Sequence, residues 1–141
     1  MVFPDVNVLV HAHRADSSQH PICRDWLRRT LSDEQAFALS ELVLSSVIRI
    51  VTHPRIFDPP STIDEAVSFA NDLRRHEHAI LVAAGNRHWD IFSRVIREAD
   101  ARGNLVTDAY FAAMAIESGC ELVSTDGDYA RFPGLKWRRP S

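Results

Sequence analysis

Apolar residues along this chain recur in two rhythms. Short continuous runs alternate with longer stretches in which every third or fourth position is apolar. The first rhythm marks buried strands and the second marks amphipathic helices. Val2-Phe3-Pro4-Asp5 predicts a strand that ends at Asp5, and Val6–His13 predicts the helix that follows. Pro4 conflicts with a central place for that strand, because proline donates nothing to a ladder. Ser17–Ser32 predicts a second helix, capped by Ser17 or Ser18, with Ile22, Trp26, Leu27 and Leu31 inward. Ala36–Leu39 predicts a second strand. Ser40 then caps a helix whose inner stripe is Val43, Leu44, Val47, Ile48 and Val51, and His53-Pro54 ends it. Thr62 and Glu65 form a capping box at the head of a helix over Thr62–Arg75. A third strand is predicted at Ala79–Val82. The helix after it, Arg87–Arg102, turns Trp89, Phe92, Val95, Ile96 and Ala99 inward and places Gly103 at C′. A further helix is expected to open at Thr107-Asp108 and stop at Gly119. Strand Glu121–Thr125 ends in Asp126-Gly127-Asp128, and Leu135–Trp137 is a last edge-strand candidate.

Strands that alternate with helices predict an α/β fold, a three-layer α/β/α sandwich around a mainly parallel four- to five-stranded sheet. With 141 residues, a single domain over 1–141 is expected. Hydrophobic content of 45% and charged content of 25% suit a soluble globular chain. No apolar run approaches the roughly 18 residues of a membrane span, and the N-terminus lacks a signal-peptide pattern. Cys23 and Cys120 stand alone, outside any zinc spacing, so a cytoplasmic location is expected. A net charge of −3 leaves no electrostatic footprint for nucleic acid. Fifteen of the sixteen basic residues are Arg, which suits phosphate contact but also follows from a GC-rich genome.

The acids change this picture. In an open α/β sheet, C-terminal strand ends and helix N-termini share one rim, where ligands bind. Asp5, Glu41, Asp108, Asp126 and Asp128 all map to that rim from four separate segments. Singly, each has an ordinary role: a first-turn acid complements the helix dipole by roughly 0.3–1 kcal/mol, and Asp-Gly-Asp is common turn sequence. Together they would repel and take up protons unless a cation sits among them. Mg²⁺ suits such oxygen ligands, completed by water and substrate phosphate. Asn7 is placed to orient a carboxylate or a metal-bound water.

Asp5-Val6-Asn7-Val8-Leu9-Val10 resembles the opening motif of PIN-domain nucleases. Ser40-Glu41, Thr107-Asp108-Ala109 and Ser124-Thr125-Asp126-Gly127-Asp128-Tyr129 resemble their later acidic motifs, the last in the form seen in VapC-type toxins. The resemblance spans essentially the whole chain, in order. It implies a PIN-like fold and a Mg²⁺- or Mn²⁺-dependent endoribonuclease that cuts transfer or ribosomal RNA. It also implies a homodimer neutralised by a VapB-type antitoxin. Carried over by position, Asp5, Glu41, Asp108 and Asp126 are the catalytic, metal-binding acids. Asp128 is a fifth acid, and Thr125 is a supporting hydroxyl beside Asn7.

Other readings are weaker. A receiver-like signalling domain needs a lysine at a late strand end, whereas the only lysine, Lys136, lies past Pro133-Gly134. A haloacid-dehalogenase-like phosphatase needs Asp where Asn7 stands. A non-catalytic PIN-like module that binds RNA or protein is the remaining alternative. The His11/His13 and His76/His78 pairs diverge on a helix, so no histidine ligand is expected. Trp26, Phe69, Trp89 and Phe92 are read as core. Arg14, Arg24, Arg28, Arg29 and the tail Lys136–Arg139 are candidates for RNA phosphate contact, or simply a solvated surface.

Overall fold

In the computed structural model, which describes Met1–Ser141, the predicted alternation of strands and helices is present throughout. β1 (Val2–Pro4) leads into α1 (Val6–His13) and α2 (His20–Ser32). β2 (Phe37–Leu39) leads into α3 (Glu41–Val51) and α4 (Ile63–Arg74). β3 (Ala79–Leu81) leads into α5 (His88–Glu98) and α6 (Asn104–Ser118). β4 (Glu121–Val123), a 3₁₀ turn at Gly127–Arg131 and β5 (Trp137–Arg138) follow.

All five strands run parallel, in the order β3-β2-β1-β4-β5. The chain winds outward from β1 to β3, then returns to lay β4 on the other side of β1. The winding direction therefore reverses between β1 and β4, which opens a crevice beyond their C-terminal ends. Pro4 sits in the central strand after all, but as its last residue, paired in register with Val123. The next donor, the Asp5 N–H, reaches the Val123 carbonyl at 2.9 Å, so the ladder loses little.

The core is one cluster of thirty buried apolar residues. Phe3, Phe37, Ala38, Leu39, Leu122 and Val123 come from the inner strands, which are covered on both faces and so read as unbroken apolar runs. β3 is an edge strand, and Ile80 and Leu81 stay exposed there. α6 is apolar on nearly every side. Its Ala109, Ala112, Ala113 and Ala115 are completely buried, as expected of a helix lying within the core. No helix is long and apolar enough to cross a membrane.

The caps hold in part. Thr62 Oγ1 accepts from the Glu65 N–H at 3.1 Å, and Glu65 accepts from the Thr62 N–H at 3.3 Å. Ser40 Oγ accepts from the Leu42 N–H. By contrast, neither Ser17 nor Ser18 caps α2. Gln19 precedes it without a side-chain cap, Pro21 occupies the first turn, and Ser17 bonds His11 Nδ1 instead. Ile22 is exposed.

The inward face expected on α5 holds for Phe92 and Val95, which are buried, and for Ile96 and Ala99, which are partly buried, but not for Trp89, which is 67% exposed while His88 is buried in its place. His88 tips the helix this way, because it shares a hydrogen bond with the Tyr110 carbonyl at 3.0 Å and packs its ring on that tyrosine. Gly103 does not close α5. It precedes α6 as its N-cap at φ 58°, while Asp100 takes the left-handed turn after α5.

Phe92→Ala is expected to cost about 3–5 kcal/mol by chemical denaturation. Trp89→Ala, in the same helix, is expected to cost less than about 1 kcal/mol. The reverse ranking would invalidate this packing.

Candidate active site

The strand ends decide which acids meet. Asp5 is the single residue between β1 and α1, with extended backbone, so the chain leaves the sheet exactly where its carboxylate projects into the crevice toward the end of β4. It is 6% exposed. Ser124, the residue after β4, donates to Asp5 Oδ2 at 2.8 Å, and the Tyr129 hydroxyl donates to Oδ1 at 3.1 Å. Ser124 Oγ also accepts from Asn7 Nδ2 at 3.1 Å and from the Asp126 N–H at 3.0 Å. Asn7 Oδ1 accepts from the Thr125 N–H at 3.2 Å, and Asp126 Oδ1 accepts from the Asp128 N–H at 2.9 Å. One serine hydroxyl thus ties the end of β1 to the turn after β4. No buried side-chain nitrogen or oxygen lacks a partner.

Asp5, Asp108 and Asp126 line one cleft of about 390 Å³, together with Asn7, Thr107, His11 and Arg49. Asp108 arrives there from α6, but not from its first turn. The helix opens three residues before Thr107, at Asn104, so Asp108 is beyond the reach of the helix dipole. The ordinary explanation for an acid at this point therefore falls away.

Burial pushes the Asp5 carboxyl above its usual range, opposed by the Ser124 and Tyr129 hydroxyls and reinforced by the Asp126 charge. Burial likewise pushes Asp108 up to about 7, and the charges of Asp5, Asp126 and Asp128 add to the shift. Burial and the neighbouring Asp5 and Asp108 drive the Tyr129 phenol far upward, so it remains a proton donor.

The other expected site residues lie differently. Glu41, the first residue of α3, is exposed and paired with Arg74 at 2.8 Å. It borders the adjacent apolar groove with Leu42, Leu81 and Tyr110, not the cleft of the three aspartates. Its partner comes from α4, which packs on α3 and brings Arg74 within reach. An exposed pair of this kind contributes only about 0–1 kcal/mol. Asp128 is exposed and acts on Asp108 through its charge. Thr125 contributes its backbone N–H to Asn7, not its hydroxyl. Arg14 is taken up by Asp16, Ser61 and the Pro59 carbonyl, which removes it from the candidates for RNA contact. Ser124 and Tyr129 carry no role in the sequence reading. A serine directly after the buried pair Leu122-Val123 was the available signal; the burial of Tyr129 had none.

No three His, Cys, Asp or Glu side chains gather into a complete ligand set. The donor chemistry nevertheless fits a hard cation. Asp5, Asp108 and Asp126 offer only oxygen, and none has an ion-pair partner in the protein. Mg²⁺ commonly takes one or two carboxylates and completes its shell with water.

Ser124→Ala leaves Asp5 Oδ2, Asn7 Nδ2 and the Asp126 N–H without their partner and is expected to cost about 1–3 kcal/mol in urea unfolding. The raised Asp108 value has a definite sign. The folded state keeps a proton that the unfolded chain releases above its ordinary 3.8, so this contribution to stability is present at low pH and lost as pH rises through about 7. Metal-free protein should melt higher at pH 5.5 than at pH 8. Asp108→Asn should flatten that difference and melt above the parent at pH 8. Calorimetry across this range checks both.

A model of the PIN domain matches residues 2–135. The chain is 39% identical to VapC ribonuclease Mb2897 of Mycobacterium bovis over 140 residues, covering 99% of this chain and 95% of the relative. It is 38% identical to ribonuclease VapC25 of Mycobacterium tuberculosis, covering 99% of each. The crystal structure of VapBC2 from Rickettsia felis, bound to a DNA fragment from its promoter, superposes with a TM-score of 0.73 at 16% identity over the whole of both chains. Mycobacterium tuberculosis VapC20, described as a sarcin-ricin loop cleaving toxin, superposes at 0.69 and 16% identity, covering 96% of this chain and 98% of that one. At that identity the two structures speak for the fold alone, and the fold is the α/β/α sandwich described above. With the family model and the relatives both spanning almost its full length, the chain belongs to the PIN-domain family, among the VapC ribonucleases.

Proposed function

We propose that this protein is a metal-dependent endoribonuclease, the toxin of a toxin–antitoxin pair, which hydrolyses phosphodiester bonds of transfer or ribosomal RNA. The observation that carries the reading is the cleft at the sheet's winding reversal, where Asp5, Asp108 and Asp126 converge with no protein cation paired to any of them. The names of the relatives support ribonuclease chemistry, and the VapC20 description supports a structured RNA target.

Asp5, Asp108 and Asp126 are assigned to hold Mg²⁺ or Mn²⁺. When bound, the cation neutralises these carboxylates and supplies Lewis acidity to water and phosphate at the scissile bond. Ser124 and Tyr129 hold Asp5 in one orientation, and Asn7 holds the turn that carries Asp126. Glu41 is assigned as the fourth acid, since the weak exposed pair with Arg74 is readily exchanged for a stronger charge. Asp128 adds negative charge at the rim, and Thr125 fixes Asn7 through its backbone. Catalysis then rests on positioning and charge stabilisation, with no covalent step on the protein.

The pairing of related folds with VapB partners in solved complexes supports a VapB-type antitoxin as the partner here. A homodimer, a single domain over 1–141 and a cytoplasmic location complete the proposal.

The test is purified, antitoxin-free protein incubated with total cellular RNA in Mg²⁺, Mn²⁺ or EDTA. Discrete fragments are expected with either metal and none with EDTA. Asp5→Asn and Asp108→Asn should each lower the rate by at least about 10²-fold while the far-ultraviolet spectrum is retained. Cleavage retained in both variants would falsify the assignment. Tight RNA binding without turnover would make the protein a binding module instead.

A further inference from the structure

The carboxylate cleft has a second kind of lining. Beside the three aspartates it is walled by Arg49 and Ile50 from the last turn of α3, and by Ile56 and Phe57 from the segment that follows. Arg49 is the only Arg or Lys among the residues lining the cleft. It takes part in none of the protein's ion pairs, although three carboxylates line the same cavity. Its exposed guanidinium therefore keeps its hydrogen-bonding edge for an anion from outside. A planar fork of this kind suits phosphate oxygens, which it can hold by two parallel hydrogen bonds.

The apolar part is equally specific. Ile56 is 52% exposed at the mouth, a large aliphatic side chain left in water beside a charged site. Phe57 is held in place, because the Arg14 guanidinium lies 4.4 Å from its ring centre. Arg14 is itself fixed by Asp16, Ser61 and the Pro59 carbonyl. The shelf is thus braced from behind, which limits the ordering that a ligand must impose. An apolar surface next to a lone guanidinium, within a cleft of about 390 Å³, suits one unstacked nucleotide, with its base on the apolar wall and its phosphate at the guanidinium.

We propose that Arg49 holds a backbone phosphate of single-stranded RNA while the adjoining base lies on the shelf of Ile50, Ile56 and Phe57. This inference rests on the ribonuclease reading of the same cleft and adds its substrate-binding side. Arg49 is a binding residue, and the carboxylates do the chemistry. The arrangement selects looped or single-stranded segments over helical RNA.

The test uses the full chain in two assays. In cleavage of a single-stranded RNA, Arg49→Gln is expected to raise KM about 10-fold with kcat within about 2-fold, and Arg49→Lys, which keeps the charge but not the fork, to recover only part of the loss. In equilibrium binding of a fluorescent RNA oligonucleotide to the Asp5→Asn chain, Arg49→Gln should lower the slope of log K against log salt by about 0.7, the value for one lost phosphate contact on a single strand. Ile56→Ser should weaken binding several-fold without changing that slope. Unchanged KM and unchanged salt slope in Arg49→Gln would overturn the inference, as would equal effects on duplex and single-stranded RNA. The two readings fail separately. Absence of turnover in the parent protein, with Arg49-dependent binding intact, removes the nuclease and leaves the binding site. Turnover that ignores Arg49 does the reverse.

Discussion

Asp5 lies almost out of solvent at the end of the central strand, and both of its carboxylate oxygens are bonded by hydroxyls, one from Ser124 and one from Tyr129. Burying a charge is expensive unless it is paired or hydrogen-bonded. Here no cation does the pairing. Two neutral donors do part of it, and the remaining imbalance appears as the raised proton affinity of Asp5 and Asp108. Much of the molecule can be understood as holding these groups together against their own repulsion. The sheet order brings β1 beside β4. The Ser124 hydroxyl then locks the two strand ends, and the 3₁₀ turn swings Tyr129 underneath the acids.

Like charges concentrated in a cleft raise one another's proton affinity and cost the fold free energy. That is the usual relation between an active site and its scaffold: the rest of the fold must be stable enough to tolerate local strain. The apolar core of thirty residues supplies this, with α6 packed against β4 and the central ladder continued by the Asp5 N–H. Hydrogen bonds that fix Asp5 also keep it from turning toward solvent. Asp5 is therefore held in one orientation, and Asp108, half-buried and close to the charges of Asp5, Asp126 and Asp128, is pushed up to about 7 by burial first and by those charges second.

Two sides of one cleft divide the labour. One side is lined by Asp5, Asp108 and Asp126, and the other by Arg49 with Ile50, Ile56 and Phe57, so opposite charges and an apolar surface share one cavity. With a net charge of −3 the overall field does not draw nucleic acid in, so under the proposed reading any attraction for RNA has to be local. Glu41 stands at the border. Its exposed link to Arg74 leaves it in the neighbouring apolar groove, and a pair of this kind contributes only about 0–1 kcal/mol.

Apolar periodicity marked the alternation of strands and helices, from which a parallel sheet follows, and the polar residues Ser40, Thr62 and Glu65 marked their caps, because a cap depends on interactions within a few residues. The acidic motifs pointed to Asp5 and Asp126 at strand ends and to Asp108 inside α6, which line one cleft, and to Glu41, which lies outside it. What crosses the chain was not legible. Trp89 has the spacing of a core residue, yet contact with Tyr110 turns His88 inward and leaves Trp89 in solvent. The start of α6 at Asn104 moved Asp108 out of the first turn, since the Gly103 backbone opens the helix earlier than composition suggests. Ser124 and Tyr129 join Asp5 across more than a hundred residues, and Arg74 reaches Glu41 across 33. Side-chain partners that distant are set by how the strands are ordered and how far each helix turns, which is decided only when the whole core packs.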